Sequence, residues 1–245
     1  MRYAMLADIH GNLEAFNAVL EDIERRGGVD EYWSMGDIVG YGPEPHLCIA
    51  ALRQLPNLAV KGNHDLAAAG QTGLSVFNPD AAQALRWTRE NLTEEDTSYL
   101  KELPEKSQKE GFTILHGSPR EPLWEYLVSI SSATENFNYL KTPCCLIGHS
   151  HLPLFFKQKE EENGCSSIPF GENIGQVLGK GRFIINPGSV GQPRDGDPRA
   201  SYAIYDGDAA VIKLHRITYD INAVKLKMVR QNLPVRLFIR LEHGV

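Results

Sequence analysis

Histidine, aspartate and asparagine side chains follow several short apolar segments of this chain, at the point where each segment ends. Asp8 and His10 follow residues 3–7, and Asp37 follows residues 31–35. Imidazole and carboxylate groups are ligands for transition-metal ions and the usual groups for acid–base catalysis. The full set is Asp8, His10, Asp37, Asn63, His64, His116, His149 and His151.

The apolar segments that precede these residues predict the strands of a parallel sheet. Helical patterns separate them, as the crossover connections of parallel strands require. Ligands bind beyond the carboxyl ends of the strands in open α/β sheets, so we expect the set to share one crevice. The predicted strands are residues 3–7, 31–35, 58–60, 112–115 and 145–147.

The helices of this first half are predicted from their ends. Asn12 is a candidate N-cap for a helix that stops at Gly27, and Thr93 with Asp96 forms a candidate capping box. Two further helical patterns follow Pro45 and Asn78.

Beyond residue 154 the helices between strands disappear. Residues 154–157, 182–185, 200–205 and 209–214 are predicted to be antiparallel strands, and Asp206-Gly207 predicts a hairpin. Residues 159–180 are expected to form a polar loop or hairpin, and two amphipathic segments, 221–231 and 234–243, follow. We therefore expect one α/β domain over residues 1–245, in which two sheets pack together with helices outside.

Composition excludes several classes of protein. The 245 residues are 42% hydrophobic and 23% charged, with 25 basic and 31 acidic side chains and a net charge of -6, which disfavours binding to long nucleic acid. No apolar stretch approaches the ~20 residues that span a bilayer, so we expect a cytoplasmic protein with no membrane partner. The four cysteines show no C-x-x-C spacing, which favours reduced core thiols.

Five blocks of the sequence resemble the calcineurin-like metallophosphoesterase family, whose motifs are Asp-x-His, Gly-Asp, Gly-Asn-His-Asp/Glu, a lone His and Gly-His-x-His. The resemblance covers essentially the whole chain. The residues around Asp8 and the segment Asn186-Pro187-Gly188-Ser189-Val190 resemble the corresponding sequences of the small bacterial and archaeal phosphodiesterase branch of this family. The blocks are Asp8-Ile9-His10, Gly36-Asp37, Gly62-Asn63-His64-Asp65, His116 and Gly148-His149-Ser150-His151.

The resemblance implies a four-layer αββα sandwich and a dinuclear metal centre. By motif position, Asp37 would bridge the two divalent metal ions and His64 would remain off the metals as the catalytic residue. Nitrogen and carboxylate ligands suit Mn, which we prefer, or Fe, Zn, Ni or Co; Mg is a further alternative. One ion would be held by Asp8, His10 and His151, and the other by Asn63, His116 and His149.

Such a centre would hydrolyse a phosphoester by attack of a metal-bridging hydroxide. His64 would stabilise the leaving group by protonation or as a cation. Asp65 is expected to serve Asn63 or the adjacent helix instead of orienting His64.

The chain departs from the phosphoprotein phosphatases of the superfamily, which carry Gly-Asp-x-x-Asp-Arg-Gly. It has Gly40 and Tyr41 where those enzymes have the acid and the arginine. Asn12 and Arg194 are the candidate substrate-binding residues, and Tyr41, Ser118, Arg120 and Arg199 are weaker candidates because surface polarity alone explains them.

We therefore expect a phosphodiesterase that acts on a small phosphoester or nucleotide. A phosphomonoesterase and a dinucleoside-polyphosphate hydrolase are alternatives within the enzyme class. A binding module on the same fold is the alternative outside it, as in the retromer subunit that lacks the catalytic histidine, although His64 is present here. The sequence leaves the oligomeric partner unknown.

Overall fold

Two six-stranded sheets form the centre of the molecule. The computed structural model describes residues 1–159 and 164–245, so residues 160–163 of the predicted polar loop or hairpin lie outside the described residues. The strands are β1 (Arg2–Leu6), β2 (Glu31–Ser34), β3 (Asn57–Ala59), β4 (Lys106–Lys109), β5 (Phe112–Leu115), β6 (Cys144–Leu146), β7 (Pro153–Gln158), β8 (Cys165–Ser167), β9 (Gly175–Val177), β10 (Phe183–Pro187), β11 (Ala200–Asp206) and β12 (Val211–Ile217).

Eight α-helices in the described residues cover the sheets and the edge where the predicted site lies. None of them has the length and apolar composition needed to cross a bilayer, and the longest have 13 residues. The helices are α1 (Leu13–Arg25), α2 (Pro45–Arg53), α3 (Asn63–Ala68), α4 (Pro79–Asn91), α5 (Glu94–Glu102), α6 (Ile130–Asn136), α7 (Ile221–Arg230) and α8 (Val235–Ile239).

Each sheet combines strands from both halves of the chain. The first has the order β3-β2-β1-β11-β12-β9, and the second has the order β4-β5-β6-β10-β7-β8. Within the first, β1, β2 and β3 are parallel and β11 is antiparallel to β1. Within the second, β5, β6 and β10 are parallel and β7 is antiparallel to β10.

Three apolar layers hold the sheets and helices together. Met5, Trp33 and Phe112 belong to the core between the sheets. Phe16 of α1 packs on the outer face of the first sheet, and Phe137, which follows α6, packs on the outer face of the second. This arrangement confirms the predicted αββα sandwich.

The local predictions hold at most helix ends. Asn12 caps α1 by accepting a hydrogen bond from the Ala15 amide at 3.1 Å, and Thr93 and Asp96 form the capping box of α5. The hairpin at Asp206-Gly207 joins β11 to β12. All four cysteines are buried and unpaired, as expected of reduced core thiols.

The expectation of a purely antiparallel second half is wrong. β10 pairs in parallel with β6 over Phe183–Ile185, because β7, β8 and β9 intervene in the chain and β10 returns to lie between β6 and β7 in the second sheet. Strand β4 was not predicted, because all four of its residues are polar and no apolar pattern marks it as a strand. Strands β8 and β9 lie within residues 159–180, the segment expected to form a polar loop or hairpin, and the antiparallel pairing of β8 with β7 agrees with the hairpin.

The loop after β10 packs against the loop after β1 without space for a side chain. The Gly191 amide donates to Asp8 O at 2.9 Å, and a Cβ atom on Gly191 would overlap the carbonyl oxygen of Ile9. Ser189 Oγ donates to the same Asp8 carbonyl at 2.8 Å. A glycine is therefore required where the two halves of the chain meet.

We expect Gly191→Ala to lower the free energy of unfolding by about 1–3 kcal/mol, the usual cost of overpacking. Urea denaturation checks this through the transition midpoint. Gly179→Ala is the matched control, because Gly179 is exposed and a Cβ there has no neighbour within 4 Å. Equal midpoints for the two variants would contradict the close approach.

Candidate metal centre

The predicted site residues lie in loops that follow β1, β2, β5 and β6 and at the start of α3. Six of the ten non-glycine residues with positive φ in the described chain belong to these loops. Left-handed backbone is costly for such residues and persists where the surrounding structure enforces it, most often at functional sites. The six are Asp8, His10, Asp37, Tyr41, His149 and His151.

The first group of candidate ligands is Asp8, His10 and His151, all buried. Nδ1 of His10 donates to the Val39 carbonyl at 3.1 Å, and Nδ1 of His151 donates to the Gln192 carbonyl at 2.5 Å. The two Nε2 atoms lie 3.1 Å apart. Both rings are therefore held by the backbone with their remaining nitrogens directed at each other.

The second group is Asp37, His116 and His149, and Asn63 joins it. Nδ1 of His116 donates to the Met35 carbonyl at 2.8 Å, and Nε2 of His149 donates to the Trp124 carbonyl at 3.2 Å. Nε2 of His116 then lies 3.1 Å from Nδ1 of His149 and 3.0 Å from Oδ1 of Asn63.

Asp37 lies between the two groups. Its Oδ2 is 3.6 Å from Nε2 of His10 in the first group and 3.3 Å from Nε2 of His116 in the second. Its Oδ1 accepts a hydrogen bond from the His64 amide at 2.8 Å. The seven residues predicted as ligands thus converge in one place, with one carboxylate facing both groups.

The side chains fit a pair of cations and fit poorly without them. Burial lowers the pKa of His10 and His151 well below the usual value, so both rings are neutral. A neutral imidazole has one donor and one acceptor nitrogen, and here the donor is used on a carbonyl. Two lone pairs therefore face each other at 3.1 Å, and two nitrogens about 2.0–2.1 Å from one Zn-sized ion would also lie roughly 3 Å apart.

Charges in the second group also favour a cation. Burial opposes a charge on His116, but Asp37 and Asp8 outweigh it and raise the pKa of His116 to about 9. Burial raises the pKa of Asp8 to about 7, and Oδ2 of Asp8 is buried without a hydrogen-bond partner. The two carboxylates therefore stabilise positive charge at His116, as they would stabilise a bound cation.

His64 lies beside these groups without a polar partner. Its ring is 4.9 Å from that of His10 and 4.4 Å from that of Tyr41, and its Nδ1 is buried with no hydrogen bond. Asp65 accepts hydrogen bonds from the Val39 and Gly62 amides at 3.1 and 2.9 Å. Of the two predicted roles of Asp65, support of Asn63 or of the adjacent helix, the structure shows the second, because Gly62 is the N-cap of α3.

The two predicted substrate-binding residues differ in whether their side chains have polar atoms available for a substrate. Both polar atoms of Asn12 are engaged, since Oδ1 caps α1 and Nδ2 donates to the Gly191 carbonyl at 2.8 Å. Arg194 lies 5.8 Å from the centre of the Tyr41 ring, and its buried Nε has no partner.

Three of the four weaker candidates form contacts within the protein. Ser118 and Arg120 contact Glu125. Arg199 forms ion pairs with Asp197 and Glu172 at 2.6 and 3.0 Å. These contacts favour the structural interpretation of all three.

Sequence reasoning missed three residues near the centre. The ring of Tyr126, which is 53% exposed, stacks on that of His149 with centres 4.0 Å apart. Gln192 holds His151 through its carbonyl, and its Oε1 accepts from both Arg194 and Arg240. Only the loop after the predicted strand at 182–185 could have pointed to Gln192; Tyr126 and Arg240 lie outside every motif.

A family profile described as the calcineurin-like phosphoesterase superfamily domain matches residues 1–210. The chain belongs to this superfamily. It is a metallophosphoesterase with two buried groups of histidine and aspartate residues, consistent with a dinuclear metal site.

Similar proteins agree with this family. A metallophosphoesterase from Sphaerobacter thermophilus, known from its crystal structure, is 44% identical with a TM-score of 0.91, and the match covers 100% of this chain and 99% of that one. An uncharacterised protein of Methanocaldococcus jannaschii is 39% identical over 98% of this chain and 97% of its own length. A symmetrical bis(5'-nucleosyl)-tetraphosphatase of Cellvibrio japonicus is 28% identical over 56% of this chain and 52% of that protein.

We expect the metallophosphoesterase to retain two transition-metal ions per chain and Asp37→Asn to lower the occupancy of both, because Asp37 faces both groups. His151→Ala should lower the occupancy of one. Elemental analysis after mild purification gives the metal content. Asp208→Asn, the same substitution at an exposed position, is the control and should retain both ions.

Loss of a single ion in Asp37→Asn would remove the bridging role of this carboxylate. Two ions retained in both variants would place the metals elsewhere.

Proposed function

We propose that the protein hydrolyses small phosphodiesters or nucleotides at a dinuclear centre, with manganese as the preferred metal. The observation that carries this proposal is the convergence of two buried ligand groups on Asp37, which lies within 3.6 Å of a histidine nitrogen of each. We assign Asp8, His10 and His151 to one ion and Asn63, His116 and His149 to the other, with Asp37 bridging them.

Two bound divalent cations supply an activated water near neutral pH and neutralise charge on the phosphoryl oxygens. The chain supplies their positions. Backbone carbonyls of Val39, Gln192, Met35 and Trp124 fix four imidazole rings through the nitrogens that face away from the centre. Fixed rings need little reorganisation during the reaction, and this preorganisation lowers the barrier.

His64 is the proposed catalytic residue off the metals. Its amide is tied to Asp37, and its ring packs between His10, Tyr41 and Phe77. Burial lowers its pKa to about 4, so the ring is neutral at neutral pH. A neutral imidazole still carries one N–H, which can donate to the leaving oxygen as negative charge develops there.

Arg194 is the proposed phosphate contact. Its guanidinium lies over Tyr41, and no acidic side chain of the described residues forms an ion pair with it. A fork of N–H donors without a carboxylate partner suits a phosphate oxygen. Asn12 has no free polar atom, so we assign it the positioning of the loop at Gly191.

The surroundings of His64 favour a diester over a phosphoprotein substrate. Gly40 and Tyr41 replace the acid and arginine of the phosphoprotein phosphatases, and a side chain at Gly40 would overlap the His64 ring. Tyr41 and Phe77 instead give the histidine an aromatic wall. At this position the site therefore lacks both the arginine that would bind a phosphomonoester dianion and the acid that would support His64.

A dinucleoside-polyphosphate hydrolase is the second candidate. Several proteins named as symmetrical bis(5'-nucleosyl)-tetraphosphatases match a little over half of this chain at 27–31% identity. Hydrolysis of such a substrate would use the same metal ligands and His64. No turnover of any ester with any metal would instead favour a binding module.

We expect bis(p-nitrophenyl) phosphate to be hydrolysed with a higher kcat/KM than a phosphoserine peptide when Mn²⁺ is present. Steady-state rates on the two substrates measure the ratio, and the reverse order would show that Gly40 and Tyr41 do not determine the preference.

We expect His64→Ala to retain both metal ions and the fold, yet to lose kcat by about 10²- to 10⁴-fold. The loss should be larger for an alkyl ester than for a nitrophenyl ester, because nitrophenolate is a good leaving group. His243→Ala, which removes an exposed histidine, is the control.

A loss of equal size on both esters would favour stabilisation of the phosphoryl oxygens. A fall in metal content would make His64 a ligand.

A further inference from the structure

Two arginines meet on one side-chain oxygen at the rim of the metal centre. Nη2 of Arg194 and Nη1 of Arg240 lie 2.8 and 3.4 Å from Oε1 of Gln192. The carbonyl of the same glutamine accepts the hydrogen bond from His151. One residue therefore connects the pair of guanidinium groups to the first ligand group.

The two positive charges have no acidic side chain at ion-pair distance in the described residues, and Asp80 acts on Arg240 only from farther away. Neither guanidinium forms an ion pair with an Asp or Glu of residues 1–159 or 164–245. Gln192 is neutral, Nε of Arg240 donates to the backbone oxygen of Val245, and Nε of Arg194 is buried without a partner. Burial and the charge of Arg194 lower the pKa of Arg240, as expected where like charges lie close together.

The C-terminal helices hold Arg240 in this place. Leu237 of α8 and the neighbouring Leu241 pack in one apolar cluster with Tyr41, whose ring contacts His64. The family profile ends at residue 210. Arg240 thus belongs to a part of the chain that the shared metal-binding motifs do not include, which suits a residue that determines specificity.

Arg240 also lines a cavity of about 440 Å³, to which none of the candidate metal ligands contributes. This volume falls within the range of small-molecule sites. Its wall combines polar and apolar groups, with a second arginine, Arg236, and the carboxylate of Asp80. The remaining lining residues are Asn78, Pro79 and Leu237.

We propose that Arg194 and Arg240 form an anion subsite for a second phosphate group of the substrate. The subsite selects phosphoesters that carry a further phosphate, such as organic pyrophosphates and nucleoside polyphosphates, over simple diesters, and the cavity beyond Arg240 accommodates the rest of the molecule. This inference rests on the proposed function for its reaction, but binding tests it separately.

The binding test compares methylenediphosphonate with methylphosphonate on the full-length metal-loaded protein by calorimetry. We expect Arg240→Ala to weaken the diphosphonate by about 10- to 100-fold, the usual effect of losing a hydrogen bond between charged groups, and the monophosphonate by much less. Arg230→Ala is the matched control, because it removes an exposed arginine from the end of α7. Elemental analysis checks that the metals remain bound.

The kinetic test compares a dinucleoside tetraphosphate with bis(p-nitrophenyl) phosphate. Arg240→Ala should lower the ratio of their kcat/KM values by about 10-fold or more, mainly through KM of the tetraphosphate. Arg240→Lys keeps the charge but not the planar fork, so it should give an intermediate ratio. It also serves as the test variant if Arg240→Ala does not fold.

Equal weakening of both phosphonates by Arg240→Ala, or no weakening, would overturn the subsite. If wild-type protein turns over no ester with any metal, the proposed function fails. A selective loss of diphosphonate binding in Arg240→Ala would still support the subsite in that case.

Discussion

Two pairs of buried imidazole nitrogens, each 3.1 Å apart, are the constraint on which the rest of this structure depends. Backbone carbonyls take the proton-bearing nitrogen of His10, His151, His116 and His149, so the remaining nitrogens point inward. Low pKa values keep His10 and His151 neutral. The facing lone pairs of His10 and His151 are unfavourable in a buried site unless a cation lies between them. In the second pair, Asp37 and Asp8 favour positive charge at His116, so both halves of the centre suit metal ions.

The fold enforces this convergence at a conformational cost. Asp8, His10, Asp37, His149 and His151 all have positive φ, a conformation that costs roughly 1–3 kcal/mol per residue. Close packing between loops compensates for it. The Asp8 carbonyl accepts from both Gly191 and Ser189, and the side chain of Asn186 donates to the Gly148 carbonyl at 2.6 Å. The late loop, Asn186 to Gln192, thus fixes the two loops that carry the first ligand group.

The sequence predicted that these side chains would share one crevice because they follow apolar strands, and the structure does bring them together. The expectation that the strands form a single parallel sheet is wrong, since β1 and β2 belong to the first sheet and β5 and β6 to the second. The sequence also predicted the N-caps of α1 and α5. Each cap depends on hydrogen bonds between residues three apart in the chain, which a local sequence pattern can reveal. Strand β10 was misplaced because parallel or antiparallel pairing depends on contacts far apart in sequence. Arg240 and Tyr126 were missed for the same reason: no local pattern reveals that a C-terminal side chain reaches the rim.

Anomalous diffraction from a crystal of the metal-loaded protein would show whether cations lie between the facing histidines, since it locates each ion independently of activity. We expect two separate peaks, one bounded by Asp8, His10 and His151 and the other by Asp37, His116 and His149. A single peak, or peaks bounded by other side chains, would contradict this expectation, because the facing imidazole nitrogens would then lack the cations that we infer between them.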